Sequence, residues 1–251
     1  MSIIRSNSQA ASTSSTGGSP VLSSISEMNS LRFDGASYLS RIPTTAGNRR
    51  IYTYSVWVKK SIENFALFGA ENGSAQVDAL TFTSAKLLHQ RYYGTQSVNA
   101  VQETNSVLRD FSAWYHIVFV FDVAQSTVAD KTVFYVNGER QEISTAGSLG
   151  ETKVLDFWVN STATHRIGYY YATANNAMYP EGYMANIHFI DGQALDANAF
   201  GEEISETWVP KEYSGSYGNN GFHLDFAASN MDWTNSKVLD ASGNGNDWNI
   251  N

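Results

Sequence analysis

WYHIVFVFD, residues 114–122, followed by TVFYVNGERQEI, residues 132–143, decides the fold class. The first run stays apolar from Ile117 to Phe121, so a strand built on it is covered on both faces and belongs in the middle of a sheet. In the second run Asn137-Gly138 stands between strand-forming residues and supplies the two positive φ angles of a type I′ turn, which predicts a hairpin. Upstream, IYTYSVWV at 51–58 sets Tyr52, Tyr54, Val56 and Val58 on one face against Ile51, Thr53, Ser55 and Trp57 on the other. That alternation makes the first face core and gives Trp57 the cover of the second. Asp34-Gly35 and Asp191-Gly192 are read as strand-reversing turns. No amphipathic helix of ordinary length stands out; DANAFGEEI at 196–204 is a short-helix candidate, capped by Asp196 and limited by Gly201.

Around these runs the composition sets limits. Of 251 residues, 42% are hydrophobic, with 13 Phe, 14 Tyr and 6 Trp, enough for one large all-β domain with an appendage. A formal charge of −8 repels phosphate backbones, so nucleic acid is excluded as a partner. The absence of Cys removes disulfides, thiolate metal sites and cysteine nucleophiles. Neither a secretory signal nor a membrane-length apolar run is read, and the chain is expected to be soluble, with no membrane insertion. Residues 1–29, rich in Ser, Thr and Gly, form an extended arm that cannot fold alone and is expected to pack on a neighbouring subunit. The sandwich is assigned to residues 30–226. Residues 227–251 turn polar again and are either an edge strand or a second contact arm.

LRFDGASYLS (31–40), GYMANIHFIDGQALDANAFGE (182–202), TWVPKEYSGSYGNNGFHLDF (207–226) and DASGNGNDW (240–248) follow one another in order. Together they resemble the laminin-G-like branch of the concanavalin A-like lectin/glucanase superfamily, in the form carried by structural proteins of marine tailed phages. The resemblance spans about residues 31–251. It implies an all-β antiparallel jelly-roll β-sandwich, and it places His116, in the WxH phrase before a YVNG turn, in a structural role. It also implies a place on the virion surface after synthesis in the host cytoplasm. Capsid or tail proteins would be the partners, held through the arm, and a homotrimer is compatible with the particle axes such proteins occupy.

Retaining glucanases of the superfamily carry Glu-x-Asp-x-x-Glu on one strand, and no Glu here is followed two residues later by Asp. Glu202, Glu203 and Glu206 read as a solvated acidic surface. Nucleophile elbow, zinc-helix and phosphate-loop motifs are absent, and His89, His116, His165, His188 and His223 stand singly. In DASGNGNDW, Asp240, Ser242, Asn244 and Asn246 alternate as in the opening of a calcium loop, so calcium is the one cofactor considered. The alternative is a side-chain-bonded turn. Tyr92, Tyr93, Trp158, Tyr169, Tyr170, Tyr171 and Tyr179 lie near Gly, Asn, Thr and Ser, and are either a carbohydrate-binding set or core and interface residues. Three functions follow in order: a non-enzymatic virion protein, either a capsid decoration or a head-fibre component; a tail-fibre or receptor-binding module for host surface glycans; and a glycoside hydrolase.

Overall fold

The computed structural model describes residues 3–5, 28–73, 76–93, 98–146, 156–171 and 177–251. Along the chain come β1 (Ile3–Arg5), β2 (Asn29–Asp34), β3 (Leu39–Arg41), β4 (Ile51–Lys60), β5 (Phe65–Glu71), β6 (Gln76–Thr83), β7 (Lys86–Tyr93) and β8 (Val98–Thr104). Next are β9 (Tyr115–Asp122), the one-turn helix α1 (Val128–Lys131), β10 (Thr132–Val136), β11 (Glu139–Arg140), β12 (Ile143–Ala146) and β13 (Thr164–Ile167). β14 (Tyr170–Tyr171), β15 (Ala177–Met178), β16 (Glu181–Asp191), β17 (Gly201–Ile204) and β18 (Thr207–Pro210) follow. β19 (Phe222–Leu224), β20 (Met231–Asp232), β21 (Lys237–Val238) and β22 (Trp248–Ile250) end the chain.

These strands form an antiparallel jelly-roll sandwich. One sheet runs β1-β2-β16-β4-β9-β10-β11, with β19 also paired to β16; the other runs β12-β8-β7-β6-β5-β13-β3-β22-β21-β20. Their inner faces meet in a core that includes Tyr52, Tyr54, Val56 and Val58 of β4, as the alternation in that strand requires. Tyr54 stacks on Phe68 at 4.7 Å, tying the two sheets together. All of β9 is buried. Its second face is covered by the excursion from Gly192 to Tyr217, where Val118, Val120, Val133 and Ile190 pack with Ala197 and Phe200. Trp57 is buried there too, stacked on His116 at 4.8 Å.

Asn137 at φ +49° and Gly138 at φ +85° form the expected hairpin turn between β10 and β11. Neither Asp-Gly pair closes a hairpin. Asp34 caps the Ala36 and Ser37 amides and sends the chain from β2 in one sheet to β3 in the other. Asp191 ends β16 because its carboxylate is claimed by a buried network, accepting from the Asn48 amide at 2.7 Å, Asn160 Nδ2 at 2.6 Å and the Asn220 amide at 3.1 Å. The segment expected to be a short helix is a single 3-10 turn, Ala197–Ala199, with Asp196 accepting from the Asn198 amide; Gly201 then opens β17. Residues 227–251 belong to the second sheet: Met231, Val238 and Trp248 join the core, and β22 pairs with β3. Of the arm, Ile3–Arg5 is a strand on β2, and residues 6–27 lie outside the described residues.

Candidate functional site

The turn at Asn137-Gly138 and the ribbon β17–β18 face each other over the outer side of the first sheet. Trp208 fixes their spacing. Its indole lies against the bare Cα of Gly138 and of Gly201, where an added Cβ would come within 2.6 Å and 2.5 Å of the ring. Trp208 Nε1–H donates to His116 Nδ1 at 2.9 Å. That bond places the imidazole proton on Nε2, which donates to Ser55 Oγ at 2.8 Å. Burial pushes the His116 pKa down to about 3, so the ring stays neutral and keeps this tautomer. The structural role implied for His116 therefore has a mechanism. It anchors the ribbon through Trp208 and stacks beneath it on Trp57.

Between turn and ribbon lies a groove of about 690 Å³, within the usual range for small-ligand sites. Its apolar lining is Leu108, Tyr115, Val136 and Trp208; its polar lining includes Asn137, Gln141, Asn198, Glu139, Glu203 and Glu206. The last three are exposed and form no ion pair among the described residues. No Lys or Arg lines the groove, which disfavours phosphate and favours a polyhydroxylated ligand held by amide and carboxylate groups. At its rim, Ser205 and Glu206 form a two-residue β17–β18 turn at φ +49° and +61°, a geometry that Asn-Gly supplies with less strain. These groove residues were missed as a site because β10–β11 and β17–β18 are far apart in sequence. A local signal existed in Trp208 lying next to Glu203 and Glu206.

The tyrosines read from sequence divide. Tyr169 and Tyr179 come together with Tyr38, which sequence reading missed, at ring separations of 5.0 Å (Tyr38–Tyr169) and 5.1 Å (Tyr169–Tyr179). Arg166 lies 4.7 Å over the Tyr169 ring and pairs with Glu71, so a cation covers a face that a sugar would need. Tyr170 is buried, packed with Ala66, Val77 and Ala79, and its hydroxyl donates to Gln90 Oε1 at 3.0 Å. This corrects its place in the carbohydrate-binding set: of the two readings the sequence leaves open, Tyr170 takes the core one. Trp158 is half-buried, with Arg49 above its ring at 5.7 Å. The side chains of Tyr92, Tyr93 and Tyr171 lie outside the described residues.

The calcium residues are engaged by protein donors. Asp240 Oδ1 accepts from the His223 and Ser242 amides, and its Oδ2 accepts from Ser242 Oγ and the Asn246 amide. Asn244 and Asn246 turn their amide nitrogens to the Gly221 carbonyl, and Asn246 Oδ1 accepts from the Arg41 guanidinium. The segment is thus a side-chain-bonded turn with a cation of its own. Calcium would have to displace Arg41 and several amide donors. Among the described residues no cluster of three His, Asp or Glu is arranged to hold a metal, and no helix is long and apolar enough to cross a membrane.

A scan of protein-family models finds no match to this chain, and a search of curated proteins finds none. Solved structures do match. Bacteriophage CBA120 tailspike protein 2, in its enzymatically active domain, is similar at 13% identity and TM-score 0.44, over 68% of this chain and 26% of that one. Mouse laminin α1 domains LG4-5 are similar at 15% identity and TM-score 0.45, over 73% of this chain and 48% of that one. A candidate carbohydrate binding protein from Bacteroides ovatus is similar at 17% identity and TM-score 0.59. The match covers 89% of this chain and 58% of that protein's length, and it shows that the two share the jelly-roll sandwich fold.

Proposed function

We propose that this chain is a non-enzymatic structural protein of a tailed-phage virion, displaying a sandwich whose groove at Trp208 recognises glycans. The observation that carries the recognition half is the groove itself, an open site of about 690 Å³ joining an indole to carboxylates and amides with no basic residue in its lining. The fold shared with a candidate carbohydrate binding protein supports the same reading. Placement on the virion, as capsid decoration or fibre component, is supported by the ordered phrases at 31–40 and 182–248 described above. A glycosidase acid works from a water-poor, apolar setting that keeps it protonated. Glu139, Glu203 and Glu206 are all exposed, which favours binding over hydrolysis.

A saccharide array tests recognition. The parent protein is expected to bind one glycan class without releasing reducing ends, weakly per site and more tightly when displayed in many copies. Glu206→Gly should reduce that binding at least tenfold while leaving the melting temperature at or above the parent's, because it removes a carboxylate and relieves a φ of +61°. Equal binding by the variant would move the site elsewhere.

Attachment through the arm has its own test. A chain lacking residues 1–27 should keep the sandwich, since the described part of the arm adds a three-residue edge strand on β2, yet should no longer be retained on particles. Unchanged retention would contradict the arm's role.

A further inference from the structure

The hydrogen-bonding groups that line the groove at Trp208 are unequally divided between acceptors and donors. Glu203 is the register partner of Trp208 across β17–β18, so the two side chains share one face of the ribbon, and Glu206 stands in the turn between them. Glu139 enters from the opposite wall, paired with Val136 across the hairpin. None of the three carboxylates takes part in a hydrogen bond or ion pair among the described residues, and a carboxylate only accepts.

Donors are scarce. Gln141 has both ends of its amide engaged, Nε2 donating to the Glu139 carbonyl and Oε1 accepting from Ser106 Oγ. Trp208 Nε1–H is committed to His116, and Asn137 Oδ1 accepts from the His116 amide, leaving the Asn137 side-chain nitrogen as one of the few donors. Of the cations on these elements, Arg140 pairs with Asp130 and Lys211 donates to the Asn198 carbonyl, and neither lines the groove. A ligand matched to this lining brings donors and positive charge, whereas a sugar hydroxyl donates and accepts alike. An ammonium has three donors, no acceptor and an attraction to the face of an indole. Each carboxylate at contact distance adds a several-fold gain in affinity for it, and the chain's net charge of −8 adds a longer-range attraction that salt screens.

We infer that the ligand of this groove is an amino sugar with a free ammonium group, its ring beside Trp208 and its nitrogen between Glu139 and the Glu203–Glu206 side. The inference rests on the glycan reading of the groove and narrows it. The groove and its indole make the site; the carboxylates select among sugars.

Two tetrasaccharides of the same linkage separate charge from shape: the glucosamine tetramer, with free ammonium groups, and the N-acetylglucosamine tetramer, in which the same nitrogens are neutral amides. Calorimetric titration is expected to show the glucosamine tetramer bound about tenfold or more tightly, with the preference shrinking as sodium chloride is raised. The double variant Glu203→Gln/Glu206→Gln should lose most of that preference at an unchanged melting temperature, since both side chains are exposed. Equal affinity for the two tetramers, or a preference that survives in the double variant, overturns the inference. If the preference is absent but an arrayed neutral glycan binds the parent and not Glu206→Gly, the groove reading stands without it. If no saccharide binds, both fall. Pentalysine binding as tightly as the glucosamine tetramer would overturn the sugar assignment in favour of a basic peptide.

Discussion

Gly138→Val is expected to destabilise the domain by about 3–5 kcal/mol, a fall of roughly 6–20 °C in melting temperature for a chain of this size. Two separate costs combine. Gly138 sits at φ +85°, where a β-branched side chain is strained by about 1–3 kcal/mol. Its new Cβ would also lie 2.6 Å from Cζ3 of Trp208, forcing the indole off Gly138 and pulling Nε1 away from His116. Gly73→Val isolates the first cost, since Gly73 has φ +75° and nothing within 4 Å of an added Cβ. Thermal melts of both variants check the account. Equal losses would mean that Trp208 does not clamp the turn, and the groove would lose its supporting wall.

Acid is the second large perturbation. Burial lowers the pKa of His165 to about 4 and that of His116 to about 3, and also lowers those of His89 and His188. A histidine whose folded pKa lies below its unfolded value of 6.5 binds protons more readily after unfolding. Its contribution is therefore intact above pH 6.5 and is lost as pH falls toward the folded pKa. For His165 the loss by pH 4 is about 3 kcal/mol, and for His116 about the same, at about 1.4 kcal/mol per pKa unit. Together these approach the whole stability of a typical domain. The melting temperature should hold between pH 8 and 7 and drop steeply from 6 to 4. His165→Gln, whose side-chain oxygen can take the Asn160 amide bond now made to His165 Nε2, should shallow the drop. A profile flat to pH 4.5 would contradict neutral burial of these rings.

How far the sequence could be read follows from how local each signal is. The apolar run at 117–121 and Asn137-Gly138 act through neighbours in the chain, so strand, hairpin and all-β class were legible. Parity was legible as well, but not which parity faces inward: Tyr169 and Tyr170 alternate visibly, yet only packing against Ala66 and Val77 shows that Tyr170 is the buried one. The polar stretch 227–251 hid core residues because Met231, Val238 and Trp248 are spread singly among Asn, Ser and Asp. In the DASGNGNDW turn, spacing suggested oxygen ligands, but Arg41, some two hundred residues earlier, takes the Asn246 oxygen. The groove has no contiguous signature. It exists only because β17–β18 folds over the first sheet onto a turn far upstream, where Trp208 packs on Gly138 and bonds to His116.

The central claim is that this groove is the recognition site, and a crystal structure with the best saccharide from the array tests it most directly. The account predicts a sugar ring beside Trp208, with hydroxyls hydrogen-bonded to Glu203 or Glu206 and to Asn137 or Gln141. A saccharide seated instead on the Tyr38, Tyr169 and Tyr179 face, with the groove at Trp208 empty, would contradict it.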